Sequence, residues 1–337
     1  MISRRFTRKA VAAAAVSAGA IATAATIALA TPAGASTTSA ASHGYTFKTI
    51  INNRDVTFNQ LLGINEAGLI AGYFGSGTLP AHPNKGYTVK PPYNQGDFKN
   101  ENFPHSVQTQ VTGLNDIGIT VGFWANKAGA NFGWYKYKGK FHDVKSFPGA
   151  TNSSPQMLQL LGVNDNKIAV GFYANAASPT ANDRGFEYNI KTHKFSRVLQ
   201  PGVTVHNLNL KTPSLTAAAI NNHGTVAGFY TTKSGVTDGF VKRTNGQFVT
   251  LAYPGATMTQ AFGINDSGLV VGAYTTGSGS SAQTFGFTWM TGHFHEVNDP
   301  HGMGSTIING VNDRGELVGF YMDANDNNNT DGFLAKP

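Results

Sequence analysis

A twelve-residue pattern that occurs six times constrains the fold of this chain more than any other feature. The copies read GINEAGLIAGYF, GLNDIGITVGFW, GVNDNKIAVGFY, AINNHGTVAGFY, GINDSGLVVGAY and GVNDRGELVGFY. Their asparagines lie at positions 65, 115, 164, 221, 265 and 312, so the spacings are 50, 49, 57, 44 and 47 residues. Regular self-similarity at this period indicates six copies of one supersecondary unit.

Each unit has the sequence pattern of four short antiparallel strands. In the fifth unit, residues 258–265 and 269–274 are rich in apolar, β-branched and aromatic residues, and the turn Asn-Asp-Ser-Gly separates them. A polar loop follows, then residues 285–290, a Thr-Gly turn and residues 293–297. Alternating apolar segments punctuated by turn residues are typical of β-strands.

The turn after each repeat asparagine ends at a position that favours glycine, because its backbone φ is positive. Five copies carry glycine there, and the third copy carries Lys167. We expect Asn166 or a locally different turn to absorb the cost in that copy.

The two ends of the chain predict how the units are arranged. The sixth unit stops at DGFLAKP, after its third strand, and the missing fourth strand appears near the start as YTFKTI at 45–50. A solenoid would need polar caps at both ends, whereas a closed ring leaves no exposed sheet edge. We therefore predict an all-β domain over 45–337, a six-bladed β-propeller of four-stranded antiparallel blades closed by strand 45–50.

The first 35 residues have the pattern of a secretory signal peptide. Four basic residues precede an uncharged run over 10–30, and Ala33-Gly34-Ala35 offers a cleavage site. We predict cleavage after Ala35, a short linker over 36–44 and export by the general secretory or the twin-arginine route. No later segment is long and apolar enough to span a bilayer.

Composition excludes several classes of function. Four of the seven net positive charges lie in residues 1–35, so the remaining chain carries only +3 and has no basic run suited to nucleic acid. The absence of cysteine excludes disulfides and thiolate metal sites. No nucleophile-elbow, H-E-x-x-H or phosphate-loop motif is present.

The repeat, with the Gly-aromatic pair, F-x-x-V and PGAT segments that follow it, resembles the HAF-type extracellular repeats of secreted bacterial proteins. The resemblance covers essentially all of 45–337. In place of His-Ala-Phe, this chain has a varying residue before the Gly-aromatic pair, as in Asp331-Gly332-Phe333. The resemblance implies export and a propeller-like repeat architecture, and no particular chemistry.

Candidate binding residues follow from the repeat and from the loops of unequal length. Four units carry glutamine five residues before the turn asparagine, and Thr216 and Ile307 take that place in the others. These amides either line the axial channel and bind sugar hydroxyls or bond a neighbouring blade. We predict ligand-binding roles for Gln60, Gln110, Gln159 and Gln260, and for Trp124 and His206 on the long-loop face.

Two segments have spacings that metal sites use. Asp323, Asn325, Asn327 and Asp331 resemble an oxygen-rich calcium loop, although an Asn-rich loop without metal is the alternative. His293 and His295, with Glu296, Asp299 and His301 nearby, either bind zinc or face solvent. Apart from a structural calcium ion, we predict no cofactor.

The sequence favours a secreted, monomeric binding protein that recognises a glycan or a cell-envelope component through the long-loop face, with no nucleic acid partner. An extracellular polysaccharide lyase or hydrolase is the first alternative, and a protein-interaction scaffold is the second. Catalytic residues stay unassigned. The enzyme alternative would draw on predicted loop-face acids and histidines: Asp55, Asp97, Glu101, Asp183, His105, His206 and His301.

Overall fold

The computed structural model describes residues 44–148, 156–174, 183–206, 214–232 and 234–337. The predicted signal peptide and most of the linker lie outside these residues, as do parts of the long loops predicted at 174–184 and 201–213. The strands form six four-stranded antiparallel blades.

Blades 1 to 3 follow one another along the chain. Blade 1 contains β2 (Asn59–Ile64), β3 (Ile70–Phe74), β4 (Lys85–Val89) and β5 (Phe98–Asn100). Blade 2 contains β6 (Gln108–Leu114), β7 (Thr120–Ala125), β8 (Asn131–Tyr137) and β9 (Lys140–Val144). Blade 3 contains β10 (Met157–Val163), β11 (Ile168–Ala174), β12 (Asp183–Asn189) and β13 (Lys194–Arg197).

Blades 4 to 6 complete the ring. Blade 4 contains β14 (Leu215–Ile220), β15 (Val226–Thr231), β16 (Thr237–Lys242) and β17 (Phe248–Leu251). Blade 5 contains β18 (Met258–Ile264), β19 (Val270–Thr276), β20 (Gln283–Met290) and β21 (His293–Glu296). Blade 6 contains β22 (Ile307–Val311), β23 (Leu317–Asp323), β24 (Asn329–Lys336) and, as its outer strand, β1 (Thr46–Ile50).

The predicted closure by the N-terminal strand is confirmed. β1 pairs antiparallel with β24, from Thr46 opposite Lys336 to Ile50 opposite Gly332. On the far side of the same blade, Asn309 of β22 donates from Nδ2 to the Leu61 carbonyl of blade 1 over 2.9 Å. The first and last parts of the chain therefore belong to one continuous ring.

Aromatic side chains of the third and fourth strands fill each blade and explain the Gly-aromatic and F-x-x-V segments. The third-strand aromatic residue is fully buried in every blade, as Trp134 and Phe333 are. Its ring contacts a fourth-strand phenylalanine, with centroids 5.2 Å apart for Trp134 and Phe141 and 5.4 Å apart for Phe333 and Phe47. Burial of one such side chain contributes about 1.5–3 kcal/mol.

The glycine of each second strand is required by a close approach of two backbones. A Cβ atom on Gly122 would lie 2.0 Å from the main-chain oxygen of Gln110 in the neighbouring inner strand. In the other five blades, a Cβ atom on the corresponding glycine would lie 1.9–2.3 Å from the corresponding main-chain oxygen. The inner pair of strands can therefore form its bulged ladder only where this residue has no side chain.

The strand directions give the ring two different faces. The turn face carries the six turns that begin at the repeat asparagines, together with the connections between third and fourth strands. The loop face carries the connections between second and third strands and those between successive blades. The two faces are named in this way below.

Two sequence predictions about turns are wrong. Lys167 itself adopts φ 65°, so neither Asn166 nor a different turn absorbs the strain. Its Nζ lies 4.4 Å from the ring centroid of Tyr137, a cation–π contact that offsets part of the cost.

The second wrong prediction concerns Asp97. It lies on the turn face, in the short 3-10 helix Gln95–Asp97 between β4 and β5, and not on the loop face.

Candidate functional site

The repeat asparagines join all six blades in a closed ring at the turn face. Each Nδ2 donates to the main-chain carbonyl of the asparagine one blade further on, over 2.9–3.2 Å, and the sixth returns to the first. Each Oδ1 accepts the main-chain N–H four residues later, over 2.8–3.0 Å. The side chain thus fixes both the turn and the next blade. The members of this asparagine ring are Asn65, Asn115, Asn164, Asn221, Asn265 and Asn312.

The residues that follow form a second ring beside the first. Each main-chain N–H donates to a side-chain oxygen at the same place in the next blade, over 2.6–2.9 Å. Five members are acids, and burial followed by repulsion from Asp165 raises the pKa of Asp116. Asn222 separates two of the acids, and its Nδ2 donates to Asp266 over 2.9 Å. The members of this acidic ring are Glu66, Asp116, Asp165, Asn222, Asp266 and Asp313.

These rings surround a small polar cavity of about 90 Å³ at the turn-face end of the axis. A second cavity of about 80 Å³ lies further along the axis, and six apolar side chains line both. This apolar collar lies where the two cavities meet along the axis. Its members are Ile64, Leu114, Val163, Ile220, Ile264 and Val311.

Exposed apolar side chains concentrate on the loop face. Of six large hydrophobic residues exposed among the described residues, only Ile117 belongs to a turn-face segment. The other five project from blade connections or from second-to-third-strand loops. Binding residues commonly lie on loops that a rigid scaffold carries. These five are Val56, Leu79, Val205, Val236 and Met303.

The four predicted glutamines lie near the loop-face ends of the inner strands, and all are at most 5% exposed. Gln60 accepts from the Tyr73 hydroxyl over 2.7 Å, and Gln159 donates to Asn131 over 3.3 Å. Within the described residues, the amides of Gln110 and Gln260 have no hydrogen-bond partner. Because a buried amide needs a partner, these two groups are open to water or to a ligand.

Each blade has one polar residue at or near the start of its third strand. This residue contacts the next blade. Asn131 reaches Gln159 in this way, and Asp183 Oδ2 accepts from the Thr216 hydroxyl over 3.2 Å. Thr216 occupies the glutamine position of blade 4, so Asp183 contacts that position of the next blade. The six members of this flanking set are Asn84, Asn131, Asp183, Thr237, Thr284 and Thr330.

Asp183 is the acid of this set, and its environment favours the protonated form. Burial raises its pKa to about 7, against the lowering effects of the Thr216 hydroxyl and the Arg184 charge. Part of its surface stays exposed. A carboxyl group whose pKa burial raises this far is a candidate functional group.

Two histidine–carboxylate pairs also lie on the loop face. His82 Nδ1 is 2.8 Å from Asp55 Oδ2, and His301 Nδ1 is 3.1 Å from Asp299 Oδ1. Burial opposes ionisation of Asp55, yet hydrogen bonds from Thr57 and His82 hold its pKa below the ordinary value. In each pair the carboxylate contacts Nδ1 and orients the ring, and a large part of the histidine side chain is exposed, an arrangement that a general base uses.

The other predicted binding residues lie apart from the axis. Trp124 is held between Phe103 and Phe132, with centroids 4.9 and 4.7 Å away, and its Nε1 donates to Asp143. Both ring faces are therefore covered by protein. His206 is exposed in the connection between blades 3 and 4.

The predicted calcium residues form a hairpin that is stabilised by its own hydrogen bonds. Asp323 Oδ1 accepts the Asn325 N–H over 2.8 Å, Asn327 has positive φ, and Asp331 faces Tyr321 across the strand pair. Burial, followed by the charge of Asp323, raises the pKa of Asp331 to about 6. The calcium site stays a prediction.

The remaining acids and histidines are dispersed. His293 and His295 are exposed on β21, whereas Glu296 accepts from Asn298 over 2.7 Å. Glu101 is buried and pairs with Lys136 over 2.6 Å, which joins blades 1 and 2. His105 is exposed between β5 and β6. No group of three His, Asp or Glu side chains suited to a metal ion occurs in the described part of the chain.

Comparison with known proteins supports the fold alone. No protein-family model matches the chain, and no curated protein sequence matches it. The subtype N11 neuraminidase-like protein from A/flat-faced bat/Peru is 10% identical, with TM-score 0.50 over 87% of this chain and 93% of that chain. A fucose-binding six-bladed lectin of Aleuria aurantia is 8% identical, with TM-score 0.48 over 85% and 93%.

An ulvan lyase, described as a new family of polysaccharide lyase, is 14% identical, with TM-score 0.44 over 81% of this chain and 77% of that chain. Within the described residues, no helix is long and apolar enough to cross a membrane.

Proposed function

We propose that this protein is an exported glycan-binding propeller, which holds an extracellular or cell-envelope polysaccharide at the loop-face end of its axis. The observation that carries the proposal is the pair of nearly buried amides, Gln110 and Gln260, without protein partners. Water satisfies them in the free protein, and sugar hydroxyls, which both donate and accept, replace that water on binding.

The surroundings of these amides suit a sugar. Gln110 faces Phe123 across the inner strand pair, and Phe229 and Phe320 occupy the corresponding places in blades 4 and 6. Aromatic rings pack against the C–H faces of a sugar while a few fixed polar groups determine its orientation. At the rim, exposed Leu79 and Met303 add apolar contact area.

The test is affinity electrophoresis of the chain from Gly44 onward in gels that contain neutral polysaccharides, acidic polysaccharides or solubilised peptidoglycan. The combined Gln110→Ala and Gln260→Ala variant should bind the retarding polymer about ten to a hundred times more weakly, because two lost polar contacts cost roughly 1.5–3 kcal/mol. Gln247→Ala, on the exposed turn face, is the matched control and should bind normally. Equal retardation of all three proteins would exclude this site.

The histidine–carboxylate pairs favour an extracellular carbohydrate-cleaving enzyme as the second candidate. The two pairs lie on the proposed binding face, and His301 keeps most of its side chain exposed. If the protein is an enzyme, new reducing ends or unsaturated products should appear with the retained polymer, and His301→Ala should abolish them. Retention without any product over a day would leave the binding protein as the function.

A further inference from the structure

Asp183 breaks a pattern that the other five blades keep. Its counterparts in the flanking set are asparagine in blades 1 and 2 and threonine in blades 4, 5 and 6. All five are neutral hydrogen-bonding side chains. At the same place, blade 3 has a carboxyl group that touches the inner strand of the next blade through Thr216.

We propose, building on the glycan-binding function above, that Asp183 contacts the ligand in its protonated form and donates a hydrogen bond to a hydroxyl or ether oxygen of a neutral glycan. Thr216 Oγ1 donates to Oδ2 and thereby leaves Oδ1 to carry the proton. Asp183 thus accepts from the next blade in the same way as Asn131 of blade 2, whose Oδ1 accepts from Gln159 over 3.3 Å.

Among the described residues around Asp183, the Thr216 hydroxyl and the Arg184 charge favour the ionised form, and burial outweighs both. On its own strand, Arg184 donates from Nη1 to the main-chain oxygen of Asp183 over 3.0 Å, so that bond does not reach the carboxylate. From β14, Ser214 Oγ accepts the Asp183 main-chain N–H over 3.2 Å. Tyr173 and Arg197 bond each other nearby, and their charges act on Arg184. Burial therefore dominates and raises the pKa of Asp183.

A neutral ligand follows from this arrangement. Below neutral pH the axial end presents amides, hydroxyls and one carboxylic acid, which match the donors and acceptors of an uncharged sugar. Above neutral pH, ionised Asp183 can only accept, so an ether oxygen at that place loses its donor and faces a negative charge. Binding should therefore weaken as pH rises.

The experiment measures the Kd of the retarding polysaccharide, or of a soluble oligosaccharide cut from it, between pH 5.5 and 8.5. The wild-type Kd should rise at least tenfold, because a carboxyl with pKa near 7 is only about 3% protonated at pH 8.5. Asp183→Asn should bind at pH 8.5 as the wild type binds at pH 6 and should show a flat profile. Asp238→Asn, also at the loop-face end of a third strand, is the matched control and should keep the wild-type profile.

A thermal melt without ligand provides the second measurement. If Asp183 is protonated when folded, raising the pH from 5 to 8.5 should lower the Tm of the wild type more than that of Asp183→Asn. Equal shifts, or glycan binding by the wild type that ignores pH, would overturn the role of Asp183. Absence of binding to every polysaccharide at every pH would instead overturn the glycan-binding function itself.

Discussion

Removal of one amide from the asparagine ring tests what holds the propeller together. Asn115 is 5% exposed. Its Nδ2 donates to the Asn164 carbonyl over 2.9 Å, and its Oδ1 accepts the Ile119 N–H over 2.8 Å. Asn115→Ala deletes both bonds and leaves two buried main-chain groups without these partners. Each such loss costs about 1–3 kcal/mol, so the variant should lose roughly 2–5 kcal/mol of unfolding free energy.

The assay is urea unfolding followed by tryptophan fluorescence and by far-UV circular dichroism. Asn115→Ala should lower the midpoint with an unchanged slope, because the native and unfolded states expose the same surface as before. Asn245→Ala is the matched control: its Oδ1 accepts one N–H, from Gln247 over 2.9 Å, in an exposed turn. That variant should lose no more than about 1 kcal/mol.

The reasoning is refuted if Asn115→Ala costs no more than Asn245→Ala. Such a result would mean that water or a shifted neighbouring turn replaces both bonds freely. The asparagine ring would then be a consequence of the closed propeller and not a cause of its stability.

The architecture could be predicted from the sequence because every blade contains the same sequence pattern. Strand pairs, the turn after each repeat asparagine and the missing fourth strand of the last unit can all be identified from local patterns. The pairing of Ile50 with Gly332 follows once the ring is assumed to close. Internal repetition thus supplied what a single copy could not.

The role of the repeat asparagine could not be recognised from one copy. Asn-Asp-x-Gly is an ordinary turn sequence, and the local Oδ1 bond accounts for its asparagine. The second bond, from Asn312 back to Asn65, joins residues almost at opposite ends of the chain. The only signal was that the residue recurs in all six copies, including the one where Lys167 replaces the turn glycine.

The candidate site residues stay predictions, and their side-chain partners could not be derived from the sequence. Spacing from the turn asparagine identified the four glutamines, yet their side-chain partners depend on neighbouring blades. The Gln159 amide bonds Asn131 of blade 2, whereas the Gln110 amide bonds none of the described residues. Trp124 was predicted to contact ligand, and the structure covers both faces of its ring. Such differences arise from side-chain packing between blades, which periodicity does not encode.

Four further outcomes follow from the structure. Deletion of residues 46–50 should lower the Tm by more than 10 °C relative to a chain that begins at residue 44, because blade 6 loses its outer strand. Gly122→Ala should cost more than about 3 kcal/mol in urea unfolding, whereas Gly96→Ala, where a Cβ meets nothing within 4 Å, should be nearly neutral. Asp331→Asn should stabilise the protein by about 1–3 kcal/mol at pH 7.5 and not at pH 4, because a raised folded-state pKa destabilises the ionised protein as pH rises. If the Asp323 hairpin binds calcium, millimolar calcium should raise the Tm and a chelator should reverse it; equal melting temperatures would reject that site.

The contrast between the two faces is the strongest reason to place function on the loop face. On the turn face, all six blades have asparagine at one position, and five of the six have an acid at the next position. The residues repeat because closing a ring requires the same bond six times. On the loop face, the equivalent positions differ from blade to blade: glutamine, threonine or isoleucine at the axis, and asparagine, aspartate or threonine beside it. A six-fold structural requirement cannot produce that variety, whereas a ligand without six-fold symmetry can. Replacement of Thr216 and Ile307 by glutamine should therefore change binding, and each added amide should also cost about 1–3 kcal/mol of unfolding free energy, because both positions are only 3% exposed.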